Sequence, residues 1–310
     1  MGILYYGFGG GHGHFLRGLA ILRRLGPCRI LGPARLAGWA RACGVDHSDS
    51  LEAAFSDPPD LLLVDVFPRG VTAELVPLLG RCPAWLISRR VPAEYYLHPP
   101  VREALESRFE RILWSEEPPP GLAALRLPQG RVGPILLADP ALSRDEARAS
   151  LDLDLNVRSI LALGSGEPEA QELQWRMLRK VSARLGAELR FVSDELHGAL
   201  RLFPAARWFA AADAIVSAGG YHAFHEIAGS GVPAVFIPQP RTLDDQAWRV
   251  REWPVARDPL ELEGILRGLL AGHRGRAPAG LEDGALRVAR LVERRVKEGV
   301  LAEKEVAALA

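Results

Sequence analysis

Apolar residues are distributed along this chain in two alternating ways. Some runs are apolar without polar alternation, as expected for strands buried on both faces. They lie at 3–6, 61–66, 84–87, 159–163 and 232–237. Shorter runs at 29–31, within 108–115, at 188–192 and at 214–216 predict further strands. Between them, apolar residues recur every three or four positions, which predicts helices. These fall after the first glycine loop to about Leu25, and at 34–43, 71–79, 143–151, 168–185, 221–230 and 259–270. A short helix is expected near 206–212 and a long one from Leu281 to about Ala308. Strands alternating with helices imply an α/β fold with parallel sheets.

The punctuation divides the chain. A proline-rich break at 116–120 precedes 132–137, which begins Val-Gly-Pro, and a first domain is expected at 1–137. A second domain is expected at 138–280. It ends in a basic, glycine- and proline-bearing connector at 272–280. The last segment, 281–310, is a helix able to cross back to the first domain. The two halves are similar Rossmann-like units, and no other repeat is visible.

Three glycine loops follow predicted strands: 7–14, Gly164-Ser165-Gly166, and Gly219-Gly220. Glycines beside a helix start leave backbone N–H groups free to hold an anion. The first loop is not a dinucleotide fingerprint, because its glycine spacing differs and no acidic residue ends a second strand nearby. Glu226 lies one turn into the helix after Gly220, within reach of a ribose diol, and Gly231 suits that helix's cap. Phosphate on amides with a hydroxyl pair on a carboxylate is the mark of a nucleotide. Asp65 ends the 61–66 strand, where ligands of open α/β sheets sit; its plainer reading is a strand-end cap.

Composition narrows the classes. Of 310 residues, 48% are hydrophobic, enough for real cores, and 38 basic residues balance 38 acidic ones. No net field favours nucleic acid. Three cysteines, Cys28, Cys43 and Cys82, have no metal-ligand spacing and read as thiols in a reducing compartment. No signal peptide is visible, and no apolar run approaches the ~20 residues that span a bilayer. A cytoplasmic protein is expected. Asp152 and Asp154 match a metal motif only superficially, at a helix end. His222 and His225 lie three apart on one helix without a third ligand. Arg89-Arg90 is either a solvated pair or a phosphate contact. Neither metal nor cofactor is expected.

Residues 217–246 resemble the donor-binding motif of glycosyltransferases with the GT-B fold, above all the MurG-like UDP-N-acetylglucosamine transferases. The matching positions are Gly220, Glu226, Ile227, Ala228, Gly231, Pro233, Pro238 and Gln246. Two positions depart: Ala223 replaces a small hydroxyl residue, and bulky Trp248 or Arg249 replaces a polar one after the glutamine. The resemblance implies two Rossmann-like domains with parallel sheets facing across a cleft. It places the donor diphosphate on Gly219, Gly220, Tyr221 and His222, the ribose on Glu226, and the sugar hydroxyls on Gln246. Gly164, Ser165 and Gly166 would line the same site. Gly9, Gly10, Gly11 and His12 would face the acceptor and the donor phosphates; His14 has no counterpart. The implied reaction is inverting, metal-independent transfer of a sugar from a nucleoside diphosphate, UDP by the resemblance, to an unidentified acceptor. His12 and Asp65 are rival bases. A lipid-linked acceptor would bring the protein against a membrane surface. The alternatives are a UDP-sugar hydrolase on the same scaffold, like that of pseudaminic acid synthesis, and a non-catalytic nucleotide-sugar binding protein. The chain is short for a MurG-like transferase, which counts towards the hydrolase as runner-up.

Overall fold

The computed structural model describes residues 2–272, 280 and 282–308, the last ten of these for backbone only. Most of the expected connector, at 273–279, lies outside them. The chain forms two compact units: Met1–Leu137 with Glu282–Ala310, and Ala138–Leu281.

In the first unit, β1 (Ile3–Tyr6), α1 (Gly13–Leu22), β2 (Arg29–Leu31), α2 (Ala37–Ala42), β3 (Asp46–Ser48), α3 (Leu51–Ala54) and β4 (Leu61–Asp65) come first. Next come β5 (Ala84–Ser88), α4 (Ala93–Leu97), α5 (Pro99–Arg108), β6 (Arg111–Trp114) and β7 (Gln129–Arg131). Their strands form one parallel sheet in the order β3-β2-β1-β4-β5-β6-β7. Every residue of β1, β4 and β5 is buried, which explains their unbroken apolar sequences. Strand order reverses between β1 and β4, which pair with Tyr6 beside Val64. β1 leads on to β2 on one side and β4 to β5 on the other, so their C-terminal ends flank the crevice where such sheets take ligands.

One expected helix is absent. Residues 71–79 form turns. The Glu74 carboxylate draws its own N-terminal side into a loop, accepting from Thr72 N at 2.7 Å, Thr72 Oγ1 at 3.0 Å, Val71 N at 3.2 Å and the Tyr6 hydroxyl. Ala73 has φ 69°, which no helix tolerates.

The second unit contains α6 (Arg144–Ser150), β8 (Ser159–Leu163), α7 (Pro168–Leu185), β9 (Glu188–Val192) and β10 (Ala214–Ser217). α8 (Tyr221–Ser230), β11 (Ala234–Phe236), α9 (Gln246–Val250) and α10 (Pro259–Leu270) complete it. Its sheet is also parallel, β11-β10-β8-β9, with apolar cores on both faces. The switch point lies between β8 and β10. Asp152 and Asp154 are spent on local structure: Asp152 takes φ 51°, and Asp154 Oδ1 accepts from Asn156 N at 2.8 Å.

α11 (Gly284–Ala308) returns to the first unit. Ala285, Val288, Ala289 and Val292 are buried, the spacing of one helix face. Arg24 meets Asp283 at 2.8 Å, and Arg295 forks onto Glu110 at 2.7 and 3.1 Å. Gly284 N donates to Pro134 O at 2.9 Å, so the Val-Gly-Pro segment is where this helix docks.

Candidate active site

Both glycine-loop clusters sit at the C-terminal ends of strands at a switch point, one in each unit. In the first unit, α1 begins one turn after β1 and aims two polar side chains at the end of β4. His14 and Arg17 are three residues apart on one helix face, and both are buried. Asp65 is 0% exposed. Its Oδ1 accepts from His14 Nδ1 at 2.9 Å and Arg17 Nη2 at 2.5 Å. Its Oδ2 accepts from Arg17 Nε at 2.9 Å and from the Tyr5 hydroxyl. Four donors fill the carboxylate's lone-pair sites. The Arg17 guanidinium and His14 outweigh burial and hold Asp65 well below the usual carboxylate range.

That geometry corrects the expectation that Asp65 competes to be the base. A sealed, fully hydrogen-bonded carboxylate beside an arginine does not take a proton from an incoming hydroxyl. It orients an imidazole instead. Because Asp65 only accepts, His14 must carry its proton on Nδ1, which leaves the Nε2 lone pair as the basic site. Burial lowers His14's pKa, Asp65 opposes this, and Arg17 and Arg89 add to the lowering. The imidazole is therefore neutral at neutral pH.

His12 is placed otherwise. It is the residue before α1, with its ring edge-on to Trp39 at 5.0 Å. The structure brings His14, not His12, to Asp65. Gly9 explains why the loop is glycine-rich: a Cβ there would lie 2.4 Å from His14 Nε2 and 2.1 Å from its Cδ2. Gly10 and Gly11 are exposed beyond it. Strain sits at the same place. Val66, immediately after Asp65, is buried at φ 62°, unusual for a β-branched residue. Val66 N donates to Ile87 O at 2.9 Å, and Tyr96 Oη donates to Val66 O at 3.1 Å, which hold that conformation. Phe67 lies 5.1 Å from the His14 ring and 6.2 Å from Tyr95. These give the crevice an aromatic wall.

In the second unit, Gly219 takes φ +79° after β10 and Gly220 caps α8, with nothing within 4 Å of the place its Cβ would occupy. The helix's first N–H groups face that space. Tyr221 and His222 are buried at its start. Arg249 braces the turn from below, donating to Gly219 O and to Asp244 Oδ1, each at 2.9 Å. Gly166 lies beside Gln239 and Arg241, and Gln239 Nε2 donates to Ser165 O at 3.2 Å. The 164–166 loop thus meets the 239–244 loop within this unit, and Arg249 ties the latter to the turn at Gly219.

Glu226 and Gln246 turn out differently. Glu226 makes no hydrogen bond or ion pair among the described residues, and desolvation alone pushes its carboxyl up to about 8. Gln246 is buried. Its Oε1 accepts from Gln239 N at 2.9 Å and its Nε2 donates to Asp244 Oδ2 at 3.1 Å. Both ends of that amide hold the 239–244 loop, which leaves one N–H and one oxygen lone pair without a partner among the described residues. Arg89 is buried while Arg90 is half-buried, its backbone N donating to Glu116 at 3.1 Å, so the two side chains are not solvated alike. His222 and His225 both pack on Tyr221.

Comparison with known proteins supports this reading of the fold. The chain is similar to the kitacinnamycin glycotransferase, with TM-score 0.60, 17% identity, and coverage of 94% of this chain and 98% of that one. It is also similar to the calicheamicin glycosyltransferase CalG4, with TM-score 0.61, 15% identity, and coverage of 96% and 98%. The chain has the GT-B fold. A third solved structure, the spinosyn rhamnosyltransferase SpnG with thymidine diphosphate, aligns at TM-score 0.58, 16% identity and 94% and 95% coverage. In sequence, 190 residues are 30% identical to the UDP-N-acetylglucosamine–N-acetylmuramyl-(pentapeptide) pyrophosphoryl-undecaprenol N-acetylglucosamine transferase of Clavibacter michiganensis. The match covers 51% of each chain, so this chain is aligned over about half the length of that curated relative. No protein-family model matches. Among the described residues no helix is long and apolar enough to cross a membrane.

Proposed function

We propose that the protein is a glycosyltransferase that moves a sugar from a nucleoside diphosphate, UDP, to an acceptor hydroxyl, inverting the anomeric carbon and using no metal. The second unit holds the donor. Amides at Gly219–His222 and the positive end of α8 take the diphosphate and stabilise it as it leaves. Glu226 takes the ribose 2′- and 3′-hydroxyls. The first unit supplies the base. As the acceptor oxygen bonds to the anomeric carbon and the bond to the diphosphate oxygen breaks, His14 Nε2 takes the acceptor proton. Asp65 keeps the imidazole oriented and in the productive tautomer.

The observation that carries the donor assignment is the half-buried Glu226 carboxyl, without a protein partner among the described residues, one turn into a helix that starts at the open Gly220 turn. A half-buried carboxyl with no protein partner keeps its acceptor sites open to a ligand's hydroxyls. The similar transferase of Clavibacter michiganensis has UDP-N-acetylglucosamine in its name, whereas SpnG was solved with thymidine diphosphate. A deoxyribose lacks the 2′-hydroxyl, so Glu226 itself separates the two donors. Calorimetry with UDP, 2′-deoxy-UDP and thymidine diphosphate tests this. UDP should bind about 10- to 150-fold more tightly than either deoxynucleotide, the worth of a charge-assisted hydrogen bond. Glu226→Gln should remove most of that preference. Equal affinities in the unaltered protein would take Glu226 off the ribose.

A further inference from the structure

Arg17 has no place in a simple histidine–carboxylate pair, yet it is 1% exposed and donates to Asp65 Oδ1 at 2.5 Å. Its fork spans both carboxylate oxygens. Its Nη2 also lies 3.3 Å from His14 Nδ1, where two donors face each other. An unshielded carboxylate in a dry crevice would favour the imidazolium and leave the base already protonated at neutral pH. We propose that Arg17 is a positioning residue that cancels the charge of Asp65 while leaving its hydrogen bond to His14 intact, so that orientation of the base is separated from its protonation. The inference rests on His14 being the base.

The other groups facing the imidazole agree with this division. Asp65 approaches from β4, and the Tyr5 hydroxyl on β1 binds the carboxylate oxygen that His14 does not use. Arg89, just beyond β5, adds a second cation that lowers His14's pKa. Phe67 covers the ring at an interplanar angle of 32°. Around the imidazole, two cations thus stand against one carboxylate.

Direct titration of His14 by NMR, its resonance assigned by loss in His14→Gln, tests the proposal without needing an acceptor. Arg17→Met keeps apolar bulk and removes the charge; it should raise the His14 pKa by about 1 pH unit or more, the usual effect of losing a close like charge. The acidic limb of the transfer rate should move up by the same interval. Arg17→Lys keeps the charge and loses the fork, so it should leave the pKa low while kcat falls. An unchanged His14 pKa in folded Arg17→Met would make Arg17 a purely structural ion-pair partner. If that variant does not fold, the unaltered protein decides: His14 titrating at or above its ordinary value of 6.5 overturns the proposal, and titration below it that persists in Arg17→Lys supports it. A raised pKa in a protein without transferase activity would uphold Arg17's role and sink the functional reading instead.

Discussion

Gly9 and His14 show how a single hydrogen can decide a site. The imidazole edge occupies the space a Cβ at position 9 would need. Gly9→Ala must therefore push His14 off Asp65 or lift the loop. Misplacing a reacting group by about 1 Å can cost ~10²-fold, so the transfer rate should fall by that order. UDP affinity should hold, because Glu226 and the α8 N-terminus belong to the other unit. A kcat unchanged in the alanine variant would mean that His14 is not the base. Which histidine matters was only partly legible in the sequence. Position 12 follows the last unbroken glycines and draws the eye. The better signal was Arg17, a charged residue inside an otherwise apolar helix. A buried guanidinium requires a buried carboxylate, and Asp65 was already marked at the end of an apolar strand. Arg17 and His14 share the helix face that reaches it. For Gln246 the motif match did not reveal that the amide would also hold the 239–244 loop through Gln239 N and Asp244 Oδ2.

Among the elements, those with continuous apolar sequence were placed within a residue or two, since burial on both faces leaves no other pattern. The edge strands β3 and β7 were not. Asp-His-Ser and Gln-Gly-Arg carry no hydrophobic period, and only pairing with a neighbour makes them strands. The missing helix at 71–79 had an adequate period, but Glu74 diverted the backbone through contacts with Tyr6, distant in sequence. α11 was visible as a helix, and the detail that fixes its start was not. A Cβ on Gly284 would lie 2.2 Å from Gly133 O and 2.5 Å from Pro134 O. Those are backbone atoms and cannot swing aside. Gly284→Ala should cost roughly 1–3 kcal/mol, the usual penalty for forcing atoms into a packed place. Denaturant unfolding read at Trp85 in the first unit would show it. Stability equal to the parent would mean that α11 docks with more slack than the geometry indicates.

For the molecule as a whole, balanced charge hides two opposed pH dependences. Asp65's pKa is depressed, so its contribution is present above the ordinary value of 3.8 and is lost as pH falls. His14's pKa is also depressed. Below about 6.5 the unfolded chain takes up a proton that the folded chain resists, and stability again declines toward acid. Glu226 has the reverse sign. Its pKa is raised from 4.5 to about 8, so the neutral carboxyl favours the folded state at low pH. That advantage is lost as pH rises through the interval between those values. Asp65 and His14 thus weaken the first unit toward acid and Glu226 weakens the second toward base, and two units with separate cores need not unfold together. Glu226→Gln isolates the second effect, because the amide cannot ionise. The nucleotide-free variant should melt above the parent at pH 8.5 and with it at pH 4.5, while its loss of UDP affinity should be largest at pH 8.5, where the parent's carboxyl is ionised. Saturating UDP should narrow the gap at pH 8.5, since the ribose hydroxyls give the carboxylate the partners it lacks. Thermal melts of both proteins at the two pH values, with and without UDP, measure each part. Should the variant gain nothing at pH 8.5, Glu226 already has a partner in solution, and the binding energy assigned to its ribose contact has no source.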